Sequence, residues 1–334
     1  MIRAKTSAPG KIMLCGEYAV LDGAPSVCMA VNRRANVVIQ DRSSDQHVVR
    51  CPGFAEGEFK FFVGKNGEFE WQVSETPLPD FSLLEEVWTA ANTDISGTVE
   101  ILLDTIPFVD ASSGSKVGLG GSAALTVALS AAISGLARKK IDVGAMIETH
   151  KRFQGGRGSG ADVAVACSGG VIEYQRTETM KIQPLQWRGD LEYAVLWSGR
   201  SASTAQKLSH FEAAIKSDGS RQALYAASAE IASAWAEADA EQLLAMFDRY
   251  TKTLIEFSDD HDLGVFEAGH AELVELAGVH DVIYKPCGAG GGDVGIVLSS
   301  DKNAVDRFTE EAAAQGFASL DVRIDDNGLL IGDK

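Results

Sequence analysis

Cysteine, positive charge and long apolar runs are all scarce in this sequence, and each shortage excludes a class of protein. The 334 residues include five cysteines, an odd number without CxxC spacing, which argues against a disulfide framework and a zinc site. No run is long and charge-free enough to cross a bilayer, and the opening MIRAKTSAPGK lacks the apolar stretch of a signal peptide. We therefore expect a globular protein of the cytoplasm.

Basic residues are outnumbered by acidic ones. Lysine and arginine total 30 against 47 aspartates and glutamates, a net charge of −17, which argues against nucleic acid and anionic membranes as partners. Many of the basic residues lie in or near three glycine-containing segments: Lys5, Lys11, Arg33, Arg34, Lys116, Arg152, Arg157, Arg200, Lys207 and Lys285. This distribution predicts a site for a small polyanion, although chance placement on the surface stays open as an alternative.

The segment GLGGSAAL, residues 118–125, is the most informative of the three. Its glycines, followed by Ser122 and an alanine-rich helical run, deliver bare backbone amides at a helix N-terminus, where phosphate oxygens bind. The spacing fits neither the P-loop, because no lysine precedes the serine, nor the dinucleotide-binding fingerprint. Residues 118–123 are called the first glycine loop below. The alternative is that these glycines only let a helix pack closely on a sheet.

The other two segments lie near the two ends of the chain. Lys11 follows Pro9 and Gly10, which we interpret as a turn, and leads the apolar run IMLC. KPCGAGGGD lies between the apolar runs DVIY and VGIVL, and its residues 288–292 are the second glycine loop. Four glycines in five residues are costly to order, so the backbone there is expected to approach a ligand closely.

These three segments, in this order, resemble the GHMP kinases, which include galactokinase, homoserine kinase, mevalonate kinase and phosphomevalonate kinase. The resemblance runs from residue 8 to about residue 298. SGSKVGLGGSAALTVA, with Lys116, and KPCGAGGGDVGIVL, with Asp293 after its glycines, are most similar to the phosphomevalonate kinase branch. WSGRSAST, residues 197–204, is similar to a segment that such enzymes carry early in their second half.

The apolar pattern predicts an α+β protein of two lobes. Residues 1–176 read as a mixed lobe, with strands at ANVVIQ, HVVRC and EFEWQV, and residues 177–334 as a helix-rich lobe that ends in alternating strands and helix. The resemblance implies the same architecture, the two-lobed GHMP kinase fold. It also implies an ATP-binding first lobe and an active site between the lobes.

The resemblance further implies the site residues. Lys11 and Asp162 match catalytic positions, and Ser122 is suited to bind Mg²⁺ or the β-phosphate of ATP, although Gly121 replaces the first serine of the usual GLGSSAA. The implied ATP-binding residues are Lys116, Gly118, Leu119, Gly120, Gly121, Ser122 and Ala123. The implied substrate-binding residues are Ser159, Gly160, Arg200, Ser203, Thr204, Gly288, Ala289, Gly290 and Gly291.

One part of the family pattern is missing. Mevalonate kinases carry a Mg²⁺-binding glutamate about a dozen residues before the aspartate, whereas this chain has Lys151, Arg152 and Gln154 there, with Glu148 further away. A basic replacement suits a more anionic acceptor. His150, just before the basic pair, is interpreted as structural.

The favoured function is phosphorylation of phosphomevalonate to diphosphomevalonate, with ATP and Mg²⁺, by a monomer or homodimer. A second hypothesis takes mevalonate or a sugar as the acceptor, with Asp162 as a true base. A third is a decarboxylase of the same fold, whose distinctive N-terminal segment is not evident at APGKIMLCGEYAV. A fourth is a non-catalytic nucleotide sensor, against which Lys11, Ser122 and Asp162 are all present.

Overall fold

Two β-sheets with helices packed against them make up the fold, which confirms the predicted α+β class. This computed structural model describes residues 1–64, 67–72, 78–92, 95–202, 207, 209, 211 and 218–332. Its strands are β1 (Ile2–Cys15), β2 (Ser26–Asp41), β3 (His47–Cys51), β4 (Ala55–Val63), β5 (Phe69–Trp71), β6 (Val99–Asp104), β7 (Val171–Arg176), β8 (Met180–Leu185), β9 (Glu192–Trp197), β10 (Ile283–Pro286), β11 (Val294–Ser299), β12 (Ala318–Leu320) and β13 (Leu330–Ile331). Its helices are α1 (Ser82–Ala91), α2 (Gly121–Leu136), α3 (Val143–Phe153), α4 (Ala161–Ser168), α5 (Asp218–Ala234), α6 (Ala240–Asp260), α7 (His270–His280) and α8 (Lys302–Ala314).

The long antiparallel pair β1–β2 is the centre of the larger sheet, whose order is β13-β1-β2-β6-β3-β4-β5 with β7 and β8 added beside β2. Both faces of this pair are buried, which explains the continuous apolar run IMLC. Ile12 and Leu14 face a core shared with α5 and α6, while Met13 faces a second core shared with α2 and α4. Side chains alternate between the faces of a strand, so two cores need two apolar sets.

The predicted turn at Pro9 and Gly10 is wrong, because both residues lie inside β1. The register with β2 shifts at this step, where the partner changes from Arg34 to Val31. Proline has no N–H to donate, and a bulge is one of the few places where a strand tolerates it. The irregularity lets the Lys11 amide leave the sheet and donate to the Leu119 carbonyl, 2.8 Å away in the first glycine loop.

The smaller sheet has the order β10-β11-β9-β12, and α7 and α8 cover one of its faces. The strand β8 follows Arg176 but pairs with β7 in the larger sheet. The division of the chain into residues 1–176 and 177–334 therefore stays a proposal, and this pairing favours a boundary after Leu185.

The helix-rich pattern predicted for the second half is present as α5, α6 and α7. The sequence pattern also predicts a helix from Ala205, a residue that lies outside the described ones. The stripe Leu243, Phe247, Tyr250 and Leu254 of α6 is fully buried, at the spacing expected of an amphipathic helix. No helix in the described parts of the chain combines the length and apolar character that a membrane crossing requires.

A buried ion pair joins the two sheets. Glu17, just after β1, and Lys285, in β10, are both 0% exposed at their side chains, and the Lys285 Nζ lies 2.5 Å from Glu17 Oε1. The Tyr250 hydroxyl on α6 donates to Glu17 Oε2 at 2.6 Å and accepts from the Gly16 and Glu17 amides. Three distant parts of the chain therefore meet at one carboxylate.

We predict that Lys285→Met lowers the free energy of unfolding by about 3–5 kcal/mol, because it leaves the Glu17 charge buried without a partner. Urea unfolding followed by circular dichroism measures the change. The double variant Glu17→Gln/Lys285→Met removes both charges and is expected to recover a large part of the loss. A double variant no more stable than Lys285→Met would contradict this account.

Candidate active site

A cleft of about 720 Å³ lies between the two sheets and is lined from both lobes. The predicted site residues that it brings together are Lys11, Lys116, Gly118, Leu119, Gly120, Gly121, Ser122, Ser159, Asp162, Gly288 and Ala289. Ala123, Gly160 and Gly290 are buried in the walls instead. Arg200 and Gly291 line a separate shallow depression, and Ser203 and Thr204 lie outside the described residues.

The first glycine loop ends in an uncapped helix. Gly118 and Gly120 have φ values of 80° and 77°, the left-handed region that favours glycine. The helix α2 begins at Gly121, and no side chain caps its N-terminus. The first amides of a helix have no partner within it, and here they open on the cleft beside Ser122. The loop can therefore donate several backbone hydrogen bonds to an anion.

The Lys11 side chain runs from the first glycine loop to the second. A Cβ added at Gly120 would lie 2.9 Å from Lys11 Cγ, so only glycine leaves room for the lysine chain to cross. A Cβ added at Gly288 would lie 3.5 Å from Lys11 Nζ. The Lys11 side chain therefore extends between the two loops on the lining of the cleft, with its ammonium group beside Gly288.

Ser122, His150 and Asp162 form a contiguous polar row. Ser122 Oγ lies 3.1 Å from His150 Nε2, and His150 Nδ1 lies 3.7 Å from Asp162 Oδ2. His150 is only 1% exposed, whereas Ser122 and Asp162 both reach the cleft. The sequence offered one signal for this row, the position of His150 twelve residues before Asp162, where a carboxylate was sought instead.

Asp293 brings the second lobe against the first glycine loop. A Cβ added at Gly118 would lie 2.3 Å from the Asp293 side chain, so the two residues are in close contact. The Asp293 backbone has a φ of 57°, unusual for a residue other than glycine, and its carboxylate accepts from the Ala202 amide at 3.0 Å. Burial raises the pKa of Asp293 above its ordinary value.

Most of the basic residues singled out in the sequence do not face the cleft. Of the ten, only Lys11 and Lys116 line it. Arg34 pairs with Asp325 and Arg152 with Glu86, on other parts of the surface. Of the positive charge that the sequence places near the glycine segments, two lysines therefore reach the cleft.

The end of the cleft beyond Lys116 is apolar, and sequence analysis missed it. Phe54, Phe81, Leu84 and Phe108 contribute to this part of the lining. They come from three separate segments of the first lobe, so no single local motif reveals them. Such a surface can accept a flat ring next to the anion-binding loop.

Comparison with known proteins agrees with this geometry. Residues 84–170 match the family described as GHMP kinases N terminal domain. The chain is 28% identical to a phosphomevalonate kinase of Streptomyces sp. over 87% of this chain and 88% of that protein. It is 30% identical to a mevalonate kinase of Thermococcus gammatolerans over 61% of this chain and 60% of that protein. The structure of Streptococcus pneumoniae phosphomevalonate kinase in complex with phosphomevalonate and AMPPNP shares the fold, with a TM-score of 0.78 and 18% identity over 96% of this chain and 99% of that one.

We predict that Gly121→Val weakens ATP binding at least about tenfold, or 1.4 kcal/mol. A Cβ at Gly121 would lie 2.9 Å from the Phe108 ring, so valine displaces the start of α2 and its amides. Isothermal titration calorimetry measures the affinity. Gly135→Val is the control, because Gly135 lies on the same helix and a Cβ added there has no neighbouring atom within 4 Å. Unchanged affinity in Gly121→Val would show that the loop serves packing only.

Proposed function

We propose that this chain is a GHMP kinase and, within that family, a phosphomevalonate kinase. The family makes it a kinase, a phosphotransferase that uses ATP. The proposal concerns the acceptor: the terminal phosphoryl group of ATP passes to the phosphate of phosphomevalonate and gives diphosphomevalonate. We place this activity in the cytoplasm, with small molecules as the only partners that the reaction requires.

The observation that carries the proposal is the position of Lys11 between two glycine-rich loops. Each loop lets a ligand approach the backbone closely, and the ammonium group lies within reach of both. A cation between two such loops matters more when both substrates carry a phosphate than when the accepting group is neutral. The two anions must approach each other, and a cation between them offsets their repulsion.

The chemistry then requires positioning and charge neutralisation. An oxygen of the acceptor phosphate attacks the terminal phosphorus of ATP, and the bond from that phosphorus to the bridging oxygen of ADP breaks. The second pKa of a phosphate monoester is about 6, so the acceptor is largely dianionic at neutral pH and needs little help in losing a proton. Lys11 and the amides of α2 hold the developing charge, and Asp162 orients the groups around it.

The residues on the cleft wall fit Mg²⁺. The Ser122 hydroxyl and the Asp162 carboxylate offer the hard oxygen donors that Mg²⁺ prefers. Among the described residues no group of three or more histidine, cysteine, aspartate or glutamate side chains is arranged around a metal position. Mg²⁺ commonly binds through one or two protein oxygens together with waters and substrate phosphates. When bound, the ion would neutralise phosphate charge.

The relatives support two acceptors. The Streptomyces phosphomevalonate kinase matches along most of both chains. The motif in which Asp293 follows the second glycine loop also resembles the phosphomevalonate kinase branch. The Thermococcus mevalonate kinase matches over a shorter stretch. If this chain also took an alcohol acceptor, Asp162 on the cleft wall would be placed to act as the base. A direct comparison of acceptors separates these functions.

We predict that phosphomevalonate gives the highest kcat/KM in an ADP-release assay that also includes mevalonate, diphosphomevalonate, homoserine and galactose. Lys11→Met is the matched control for ATP hydrolysis that does not depend on the acceptor. Faster turnover of mevalonate than of phosphomevalonate would refute the proposed acceptor while leaving the kinase assignment intact.

We further predict that Lys11→Met loses more activity than Asp162→Asn. The expected loss for Lys11→Met is ~3 kcal/mol of transition-state stabilisation, on the order of a hundredfold in rate. The Asp162→Asn defect should shrink as the pH rises through the second pKa of the acceptor, about 6, because the dianion then needs no base. Turnover of both variants is compared from about pH 5.5 to about pH 8.5 at saturating Mg²⁺. An inactive Asp162→Asn enzyme at high pH, beside a Lys11→Met enzyme with most of its activity, would contradict this mechanism.

A further inference from the structure

We propose that His150, whose ring lies beside the Asp162 carboxylate, holds the Ser122 hydroxyl in the orientation of a metal ligand by accepting a hydrogen bond from it. His150 is thus a positioning residue, which acts on the metal through Ser122. The inference rests on the proposed ATP-dependent phosphoryl transfer and assigns a role to a buried histidine that the reaction itself does not use.

Three helices bring these side chains together. Ser122 lies in the first turn of α2, His150 in the last turn of α3, and Asp162 in the first turn of α4. His150 is nearly inaccessible to solvent, so water cannot readily replace a lost contact on either ring nitrogen. The Nε2 atom faces Ser122 Oγ at 3.1 Å, and the Nδ1 atom faces Asp162 Oδ2 at 3.7 Å.

The proton positions follow from these neighbours. A neutral imidazole carries one proton, and a carboxylate can only accept, so Asp162 favours the tautomer with the proton on Nδ1. His150 Nε2 is then an acceptor, and the Ser122 hydroxyl donates to it. Both lone pairs of Ser122 Oγ remain available for a cation, while its proton is not available to a phosphate oxygen.

The opposite tautomer would give Ser122 the opposite role. With the proton on Nε2, His150 would donate to Ser122 Oγ, and the hydroxyl proton would point toward a phosphate. The tautomer of His150 therefore decides whether Ser122 serves the metal or the phosphate. The partner of the other ring nitrogen commonly sets such roles.

The helix α3 offers no carboxylate that could take over this task. Glu148 is exposed and pairs with Arg176, with an oxygen 2.5 Å from the guanidinium. The basic Lys151 and Arg152 complete the same turn. Ser122 Oγ consequently contributes more to metal binding than it would beside a carboxylate from α3. The orientation of its hydroxyl then has a larger effect on the affinity for the metal.

Two substitutions separate the contacts of His150. His150→Gln keeps an amide near the Nε2 position, within reach of Ser122, whereas His150→Asn keeps one only near the Nδ1 position. The affinity for AMPPNP is measured with and without Mn²⁺, and the ratio reports the coupling between metal and nucleotide. We expect His150→Gln to retain this ratio and His150→Asn to lower it about 10- to 100-fold.

The Ser122→Ala background tests whether His150 acts through Ser122. Ser122→Ala should lower the ratio, and adding His150→Asn should lower it no further. His47→Asn changes a half-buried histidine that accepts from the Val99 amide and does not line the cleft; it is the matched control and should leave the ratio unchanged. A wild-type ratio in His150→Asn, or a further loss in the double variant, would overturn the proposal.

Nitrogen-15 chemical shifts of the His150 ring give a readout independent of any ligand. We expect a protonated Nδ1 and an unprotonated Nε2, and a proton found on Nε2 in the wild-type protein would overturn the proposal. Neither measurement contains the acceptor. AMPPNP that fails to bind the wild-type protein would refute the proposed function, whereas binding that ignores His150 would refute only this inference.

Discussion

The geometry of the cleft depends on one buried contact, the pair of Glu17 and Lys285. Removing both charges from water is costly, and the cost is offset only when their remaining hydrogen-bonding groups are satisfied. Here Tyr250 occupies the second carboxylate oxygen, and the Gly288 amide approaches the first at 3.4 Å. The same carboxylate therefore fixes the end of β1, the helix α6 and the start of the second glycine loop. A shift of any one of them breaks contacts in the other two.

With the walls of the cleft held by this ion pair, the side chains of the site are fixed by their own packing and hydrogen bonds. The Lys11 side chain packs so closely on Gly120 that a Cβ at position 120 would overlap it. The backbone amide of Lys11 donates a hydrogen bond to the same loop. The Ser122, His150 and Asp162 side chains are held by three packed helices. Catalysis by phosphoryl transfer benefits from such preorganisation, because charge develops on atoms whose positions are already matched by donors and cations.

Local patterns in the sequence predicted the fold class, strands within β2, β3 and β5, the helix-rich second half and both glycine loops, because each is encoded by neighbouring residues. Features set by distant contacts were missed. Pro9 and Gly10 resemble a turn, and only the pairing of β1 with β2 shows that they form an irregularity within a strand. The charge of Lys285 was counted as available to a ligand, although Glu17 neutralises it. The spacing of His150 from Asp162 is visible in the sequence, but its contact with Ser122 is not, since Ser122 is 28 residues away in the chain.

The separation of Glu17 and Lys285 has a consequence for synthesis in the cell. Glu17 leaves the ribosome 268 residues before its partner, and domains generally fold as units from the N-terminal side. The core between β1, β2 and α2 can form early from contacts within the first lobe. The Glu17 carboxylate must stay hydrated until β10 arrives, so the walls of the cleft come together late. A nascent chain that has folded its first lobe thus exposes the first glycine loop before it can act on any acceptor.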